Sequence, residues 1–224
     1  MLTEPSADPP VELPPDYPEK LERFLALLQR WNSKMNLVSR KLLRADLEAH
    51  ALGSLAPLTL NPPFSARLLD VGSGGGFPAI PLLLARPQWT ATLIDSTRKK
   101  CLFLREAIEV LAPDRGEVLN ERYESMDMGG RRFDVATARA LKPSAKLARR
   151  LAMDLVPGGL AVWFTPQEAS AQGEVAQELA RAGFTGVRSA RIEWARTTLI
   201  AGLAPMVSRE TAEEDPAAVS RETE

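Results

Sequence analysis

Apolar side chains recur at helical spacing at Leu21, Phe24, Leu25, Leu28 and Trp31, and again at Leu47, Ala51 and Leu55 within 45–55. This spacing predicts two helices ahead of everything else. The pattern then changes to short, almost continuous apolar runs at 67–71, 90–94, 117–120, 133–138 and 160–164. Runs of that length with no alternation predict strands buried on both faces. Helical stretches at 78–85, 98–111 and 144–155 separate them, the last expected to stop at Pro157-Gly158-Gly159. A further helix near 172–182 precedes two β-rich runs, 186–194 and 197–204, close enough to form an antiparallel hairpin. The alternation predicts an α/β fold with a mainly parallel, doubly wound sheet, helices on both faces, an N-terminal helical extension and a terminal antiparallel hairpin.

Composition adds boundaries to this picture. Six prolines and five acids punctuate residues 1–20, and 207–224 is rich in Ala, Glu, Ser and Thr with six acids against two bases. Both segments are expected to be disordered acidic tails around a single domain at 21–206, of which 21–60 forms the N-terminal helices. The end tail contains the pentapeptide Val-Ser-Arg-Glu-Thr at 207–211 and again at 219–223. One coding of it, GTTTCACGTGAAAC, equals its own reverse complement, so the repeat reads as selection on the DNA and not as a packed unit. Without the tails, 18 acids face 25 bases, a formal +7 that the whole-chain net charge of −1 conceals. A core of that sign suits a polyanionic partner, although solvated arginine faces give the same balance. A single cysteine and a single histidine exclude a disulfide scaffold and a structural zinc site, so no metal is expected. Neither a basic, apolar leader nor an apolar run long enough to span a bilayer occurs, which makes a soluble, cytoplasmic protein the expectation.

Candidate chemistry concentrates at Leu68-Leu69-Asp70-Val71-Gly72-Ser73-Gly74-Gly75-Gly76-Phe77-Pro78. A buried strand entering a glycine-rich turn and then a helix lets main-chain groups approach a nucleotide-like ligand with no Cβ in the way. From Gly72 the dinucleotide pattern G-x-G-x-x-G fails at Phe77, but from Gly74 the looser G-x-G-x-x-A matches through Gly76 and Ala79. A nicotinamide-dependent oxidoreductase is therefore one reading. Asp70, two residues before the first glycine, favours another, because a carboxylate there suits the cationic sulfonium and amino groups of S-adenosylmethionine and not a pyrophosphate. Asp95, at the end of the second strand, is placed to accept hydrogen bonds from both ribose hydroxyls of either cofactor.

Three further positions narrow the chemistry. Enzymes that methylate exocyclic amines present an Asn/Asp-Pro-Pro-aromatic turn after the fourth strand, where this chain reads Thr137-Ala138-Arg139-Ala140. Cys101 falls in a predicted helix and not on a loop, which argues against a covalent cysteine nucleophile. An acceptor needing neither a base nor a covalent intermediate fits, and guanine N7, with an in-plane lone pair, is one. His50 then reads as a hydrogen-bonded helix residue and not a general base, because attack by N7 removes no proton.

These residues resemble the class I methyltransferases, whose Rossmann-like sheet carries the predicted strand pattern. More specifically they resemble the bacterial small-subunit rRNA guanine-N7 methyltransferases, also called the glucose-inhibited division protein B family. The resemblance covers about 21–165 and rests on Trp31-Asn32 with Asn36-Leu37, His50 with Ser54-Leu55, Asp70 to Pro81, Asp95-Ser96 with Lys99-Lys100 and Phe103-Leu104, and Phe133-Asp134 leading to Arg139-Ala140. It implies S-adenosylmethionine as cofactor, with Asp70, Gly72, Gly74, Gly76 and Phe77 around its methionine end. It implies Asp95, Ser96 and Thr97 at the ribose, Tyr123 and Glu124 beside the adenine, and Arg139 both at the donor and as the catalytic residue at the reacting face. The implied acceptor is 16S rRNA or the small ribosomal subunit, and the implied state a monomer. The chain departs from the family pattern at Val38, at Gly53 and at Thr165-Pro166, where the family usually has Thr, Asp and Lys-Gly. A non-catalytic RNA- or ribosome-binding module that keeps the fold is the remaining alternative.

Overall fold

The structure is a computed structural model that describes residues 12–166 and 168–206. The two Val-Ser-Arg-Glu-Thr segments and most of the front acidic tail lie outside these residues. Helix α1 spans Tyr17–Asn32, with Pro18 in its first turn, so residues 17–20 belong to the helix and not to the tail. Tyr17 is buried, which anchors that first turn. Helix α2 (Arg44–Gly53) and a 3₁₀ turn at Ala56–Leu60 follow before the sheet begins.

Strands β1 (Arg67–Val71), β2 (Thr90–Ile94), β3 (Gly116–Leu119), β4 (Phe133–Arg139), β5 (Leu155–Thr165), β6 (Thr185–Ile192) and β7 (Thr197–Leu203) form one sheet in the order β3-β2-β1-β4-β5-β7-β6. Strands β1 to β5 pair in parallel, and β7 runs antiparallel to both β5 and β6. The fold class matches the prediction. The strand order reverses between β1 and β4, and in open α/β sheets the crevice beyond the carboxyl ends at such a switch point is where ligands bind.

Helices α3 (Ala79–Ala85) and α4 (Arg98–Leu111) cover one face of the sheet, and α5 (Ala145–Asp154) and α6 (Ala169–Arg181) cover the other. Alternate residues of β1 divide accordingly, Leu68 to the first layer and Leu69 and Val71 to the second. Phe24 and Leu28 pack α1 over α3 and α4 as an outer layer, one helix removed from the sheet. Phe24 meets Phe77 edge-on at 5.3 Å between ring centroids and Phe103 at 6.4 Å. Trp31 donates from Nε1 to Glu106 of α4 at 2.7 Å, and Arg30 pairs with the same carboxylate.

One boundary differs for a physical reason. The Pro157-Gly158-Gly159 stretch, expected to end a helix and open a loop, lies inside β5, which begins directly after Asp154. Phe133 pairs with Leu155 but Val135 pairs with Leu160, so the extra residues form a bulge, with Gly158 at φ 73°. Among the described residues no helix is long and apolar enough to cross a membrane. No group of three or more His, Cys, Asp or Glu among them is placed to hold a metal ion.

Candidate active site

The turn after β1 is built on left-handed glycines, with φ of 74° at Gly72, 51° at Gly74 and 85° at Gly76. Four of its amides are taken up within the protein. Gly72 and Ser73 donate to the Ile94 carbonyl at 2.8 and 3.0 Å, Gly76 donates to Ser73 at 2.7 Å, and Gly74 donates to Asp95 Oδ2 at 3.0 Å. A dinucleotide's pyrophosphate needs such amides free, so this turn is not a phosphate cradle. The cleft beside it encloses about 560 Å³, within the range of small-ligand pockets.

The fold brings most of the sequence-predicted residues to this cleft. Gly72, Gly74, Phe77, Asp95, Ser96, Thr97, Tyr123, Glu124 and Arg139 all line it, delivered by the ends of β1, β2 and β4 and the turn after β3. Asp70 and Gly76 do not. A Cβ at Gly76 would lie 2.8 Å from Ile80 and 3.2 Å from Phe24, so that glycine lets the turn pack under α1 and α3. Asp70 is buried in β1, where Oδ1 accepts from Thr137 at 2.6 Å and Oδ2 has no partner. Burial pushes its carboxyl up to about 6.

Asp95 holds the turn and the start of α4 together. Its Oδ2 takes the Gly74 amide, its Oδ1 takes the Thr97 amide at 2.8 Å, and Lys100 Nζ stands 3.8 Å away. Each oxygen keeps a further lone pair for a ligand donor. Cys101 is buried and donates from Sγ to the Asp95 carbonyl at 3.1 Å, a structural position far from that of a nucleophile. At the other side of the cleft Tyr123 donates to Asp154 Oδ2 at 2.8 Å, which also accepts from Arg150 Nε at 2.8 Å. Burial and the Asp154 charge push the tyrosine hydroxyl well up, so Tyr123 stays neutral and fixed.

The acceptor side centres on Arg139. Its Nη2 lies 2.7 Å from His50 Nδ1, and its Nη1 lies 3.3 Å from the His50 carbonyl and 3.4 Å from Ser54 Oγ. The guanidinium sits 5.3 Å from the Phe164 ring centroid. The next residue, Ala140, takes φ 56°, a left-handed conformation in a non-glycine residue at the edge of the cleft. His50 also lines the cleft, 6.0 Å from the Phe77 ring. Burial and the Arg139 charge pull its pKa down, so the ring is neutral at neutral pH.

Sequence reasoning gave no site role to several lining groups: Gly75, Lys100 and Leu141 as well as His50. Val38 and Leu37 are laid over the turn because Asn32 Oδ1 accepts both of their amides, at 3.1 and 2.8 Å. A Cβ at Gly75 would lie 2.8 Å from Val38. The Trp31-Asn32 and Asn36-Leu37 pairs carried this signal without its geometry. Of the three departures from the family pattern only Val38 lines the cleft. Gly53 sits where a Cβ would be 3.2 Å from the Ala195 carbonyl, and Thr165 is buried with its hydroxyl 3.4 Å from the Thr198 carbonyl.

Comparison with known proteins gives the family and the fold. The rRNA small subunit methyltransferase G (GidB) family profile matches residues 18–197. A ribosomal RNA small subunit methyltransferase G from Laribacter hongkongensis is 40% identical over 139 residues, 62% of this chain and 66% of that protein. One from Halorhodospira halophila is 40% identical over 149 residues, 66% of this chain and 69% of that protein. The matched stretch thus spans about two thirds of these relatives' length. Among solved structures, a putative O-methyltransferase from Nostoc punctiforme superposes with a TM-score of 0.60 at 14% identity, over 82% of this chain and 71% of that one. The S-adenosylmethionine-dependent methyltransferase SibL gives 0.58 at 20% identity, over 85% and 69%. The latter two establish the fold, and the profile establishes kinship: the chain belongs to the rRNA small subunit methyltransferase G family.

Proposed function

We propose that the protein transfers a methyl group from S-adenosylmethionine to N7 of a guanine in 16S rRNA. The observation that carries this reading is the turn 72–76, in which the amides of Gly72, Ser73, Gly74 and Gly76 are spent on Ile94, Asp95 and Ser73 while Gly74 leaves open space towards the cleft. That combination suits a donor with a cationic sulfonium and no phosphate, and it disfavours the nicotinamide alternative. The buried, half-unpartnered Asp70 adds a negative group in the strand leading to the turn. When bound, S-adenosylmethionine supplies a methyl group already activated by positive sulfur.

The protein's share of the chemistry is then positioning. Gly72 and Gly74 give the methionine end its close approach, Phe77 walls it, Asp95 with Ser96 and Thr97 receives the ribose hydroxyls, and Tyr123 and Glu124 flank the adenine. Arg139 and the groups that hold it define the acceptor side. The N7 lone pair forms the new bond to carbon as the carbon–sulfur bond breaks, its electron pair stays on sulfur, and no proton moves. Neither a base nor a metal has to act, and holding two reactants in line is itself worth several kcal/mol, about 7–11 at best. The departures at Gly53 and Thr165-Pro166 are not among the lining residues, though each adjoins a group that holds Arg139, Ser54 or Phe164.

The test is transfer of labelled methyl from S-adenosylmethionine to rRNA, presented naked and as small subunits from cells lacking the activity, with N7-methylguanine located by chemical cleavage. Label at one guanine is the expected result. Donor binding with no label on either substrate would shift the reading to a module that binds without methylating.

A further inference from the structure

Arginine carries only donors, so the 2.7 Å contact between Arg139 and His50 requires His50 Nδ1 to accept. The neutral ring then carries its hydrogen on Nε2. Among the described residues Nε2 has no hydrogen-bond partner, yet His50 lines the cleft at the acceptor side. The site thus keeps one neutral N–H donor whose tautomer is enforced by a neighbouring cation.

Guanine presents two acceptors on its major-groove edge, N7 and O6, whereas adenine presents the N7 acceptor beside an N6 donor. The usual way to recognise guanine is a bidentate arginine on both atoms. For methylation at N7 that solution is self-defeating, since a donor on N7 occupies the lone pair that must attack. A single N–H aimed at O6 selects guanine and leaves N7 free. Arg139 is meanwhile held back by His50 and Ser54 and by its place over Phe164. We propose that the Nε2–H of His50 donates to O6 of the target guanine and selects it, while Arg139 acts through His50 by holding its ring and tautomer. This inference rests on the guanine-N7 reading above.

The test uses small subunits whose 16S rRNA carries, at the labelled position, either guanine or 2-aminopurine, which keeps N7 and lacks O6. Wild-type protein should prefer guanine by about tenfold to hundredfold in kcat/KM, the scale of one good base-edge contact. In His50→Asn the amide oxygen still accepts from Arg139 but no donor remains at the Nε2 position, so the preference should collapse towards unity with an unchanged KM for S-adenosylmethionine. His50→Gln, which restores an amide N–H near the Nε2 position, should recover part of the preference. A wild-type ratio near one, an undiminished ratio in His50→Asn, or equal losses on both bases would overturn the proposal while leaving guanine-N7 transfer standing. Absence of N7 transfer by the wild type would remove both.

Discussion

The cleft has two ends built from different materials. At the donor end the decisive groups are main chain: left-handed glycines, amides tied to Ile94 and Asp95, and one carboxylate, all within the 72–97 stretch. At the acceptor end they are side chains brought from α2, β4 and β5, with His50, Ser54, Arg139 and Phe164 meeting across more than a hundred residues of chain. A main-chain site depends on conformations that few residues can adopt. A side-chain site depends on contacts that only the folded sheet creates. Substitution should therefore separate the two ends, one by loss of binding and the other by loss of turnover.

Gly72→Val should have the largest effect. A β-branched side chain resists φ 74°, and its Cβ would lie 2.9 Å from Leu141. Affinity for S-adenosylhomocysteine, measured by calorimetry, should fall by more than about hundredfold, which is roughly 3 kcal/mol. Retained affinity would show that the turn is not the donor end.

Arg139→Ala is the matching change at the acceptor end. Turnover should fall by about hundredfold, the scale of misplacing a reacting group, while donor affinity changes by less than about threefold. Arg139→Lys should not rescue it, because a flexible point charge does not serve His50 Nδ1 and Ser54 Oγ together. If donor affinity and turnover fell in parallel, the division between the two ends would fail.

The same division explains what was legible in the sequence. The strands at 67–71 and 90–94 match the sequence to the residue, because buried parallel strands are apolar on both faces and end abruptly at Gly72 and Asp95. Donor residues in one strand–turn–helix segment could be read with them. Charge puts Asp70 in the cleft and the resemblance puts Gly76 there, but both lie outside the lining, since nothing local distinguishes a group facing the ligand from one buried beside it. His50 is the hydrogen-bonded helix residue the sequence predicts, but its partner Arg139, 89 positions away, and its place in the cleft are not legible locally. Pro157-Gly158-Gly159 has the composition of a loop, and only the register between β4 and β5 reveals a bulge.

Asp70 provides a test by pH. In the unfolded chain its carboxyl ionises near the model-peptide value, and in the donor-free fold burial delays that to about 6. Stability from this group is therefore full at low pH and is lost as pH rises through 6, by about 3 kcal/mol in all. Asp70→Asn keeps an acceptor for Thr137 and removes the titration. Its stability relative to wild type, from urea unfolding without donor, should rise by about that amount between pH 3.5 and 7. Parallel curves would mean that Asp70 ionises normally, with a partner for Oδ2 after all.

Gly74→Ala gives the smallest effect and the finest distinction, because it lies in the same turn as Gly72 with different surroundings. A Cβ there meets no protein atom closer than 3.7 Å, so only φ 51° opposes it, at a cost of about 1 kcal/mol to the fold. The amide that donates to Asp95 survives the change. The space that a Cβ would fill belongs to the cleft, so donor affinity should fall by about tenfold on top of the small loss of stability. Stability lowered with affinity unchanged would assign this glycine to backbone conformation alone. It would then leave Gly72 and Phe77 as the closest approach of the turn to the methionine end.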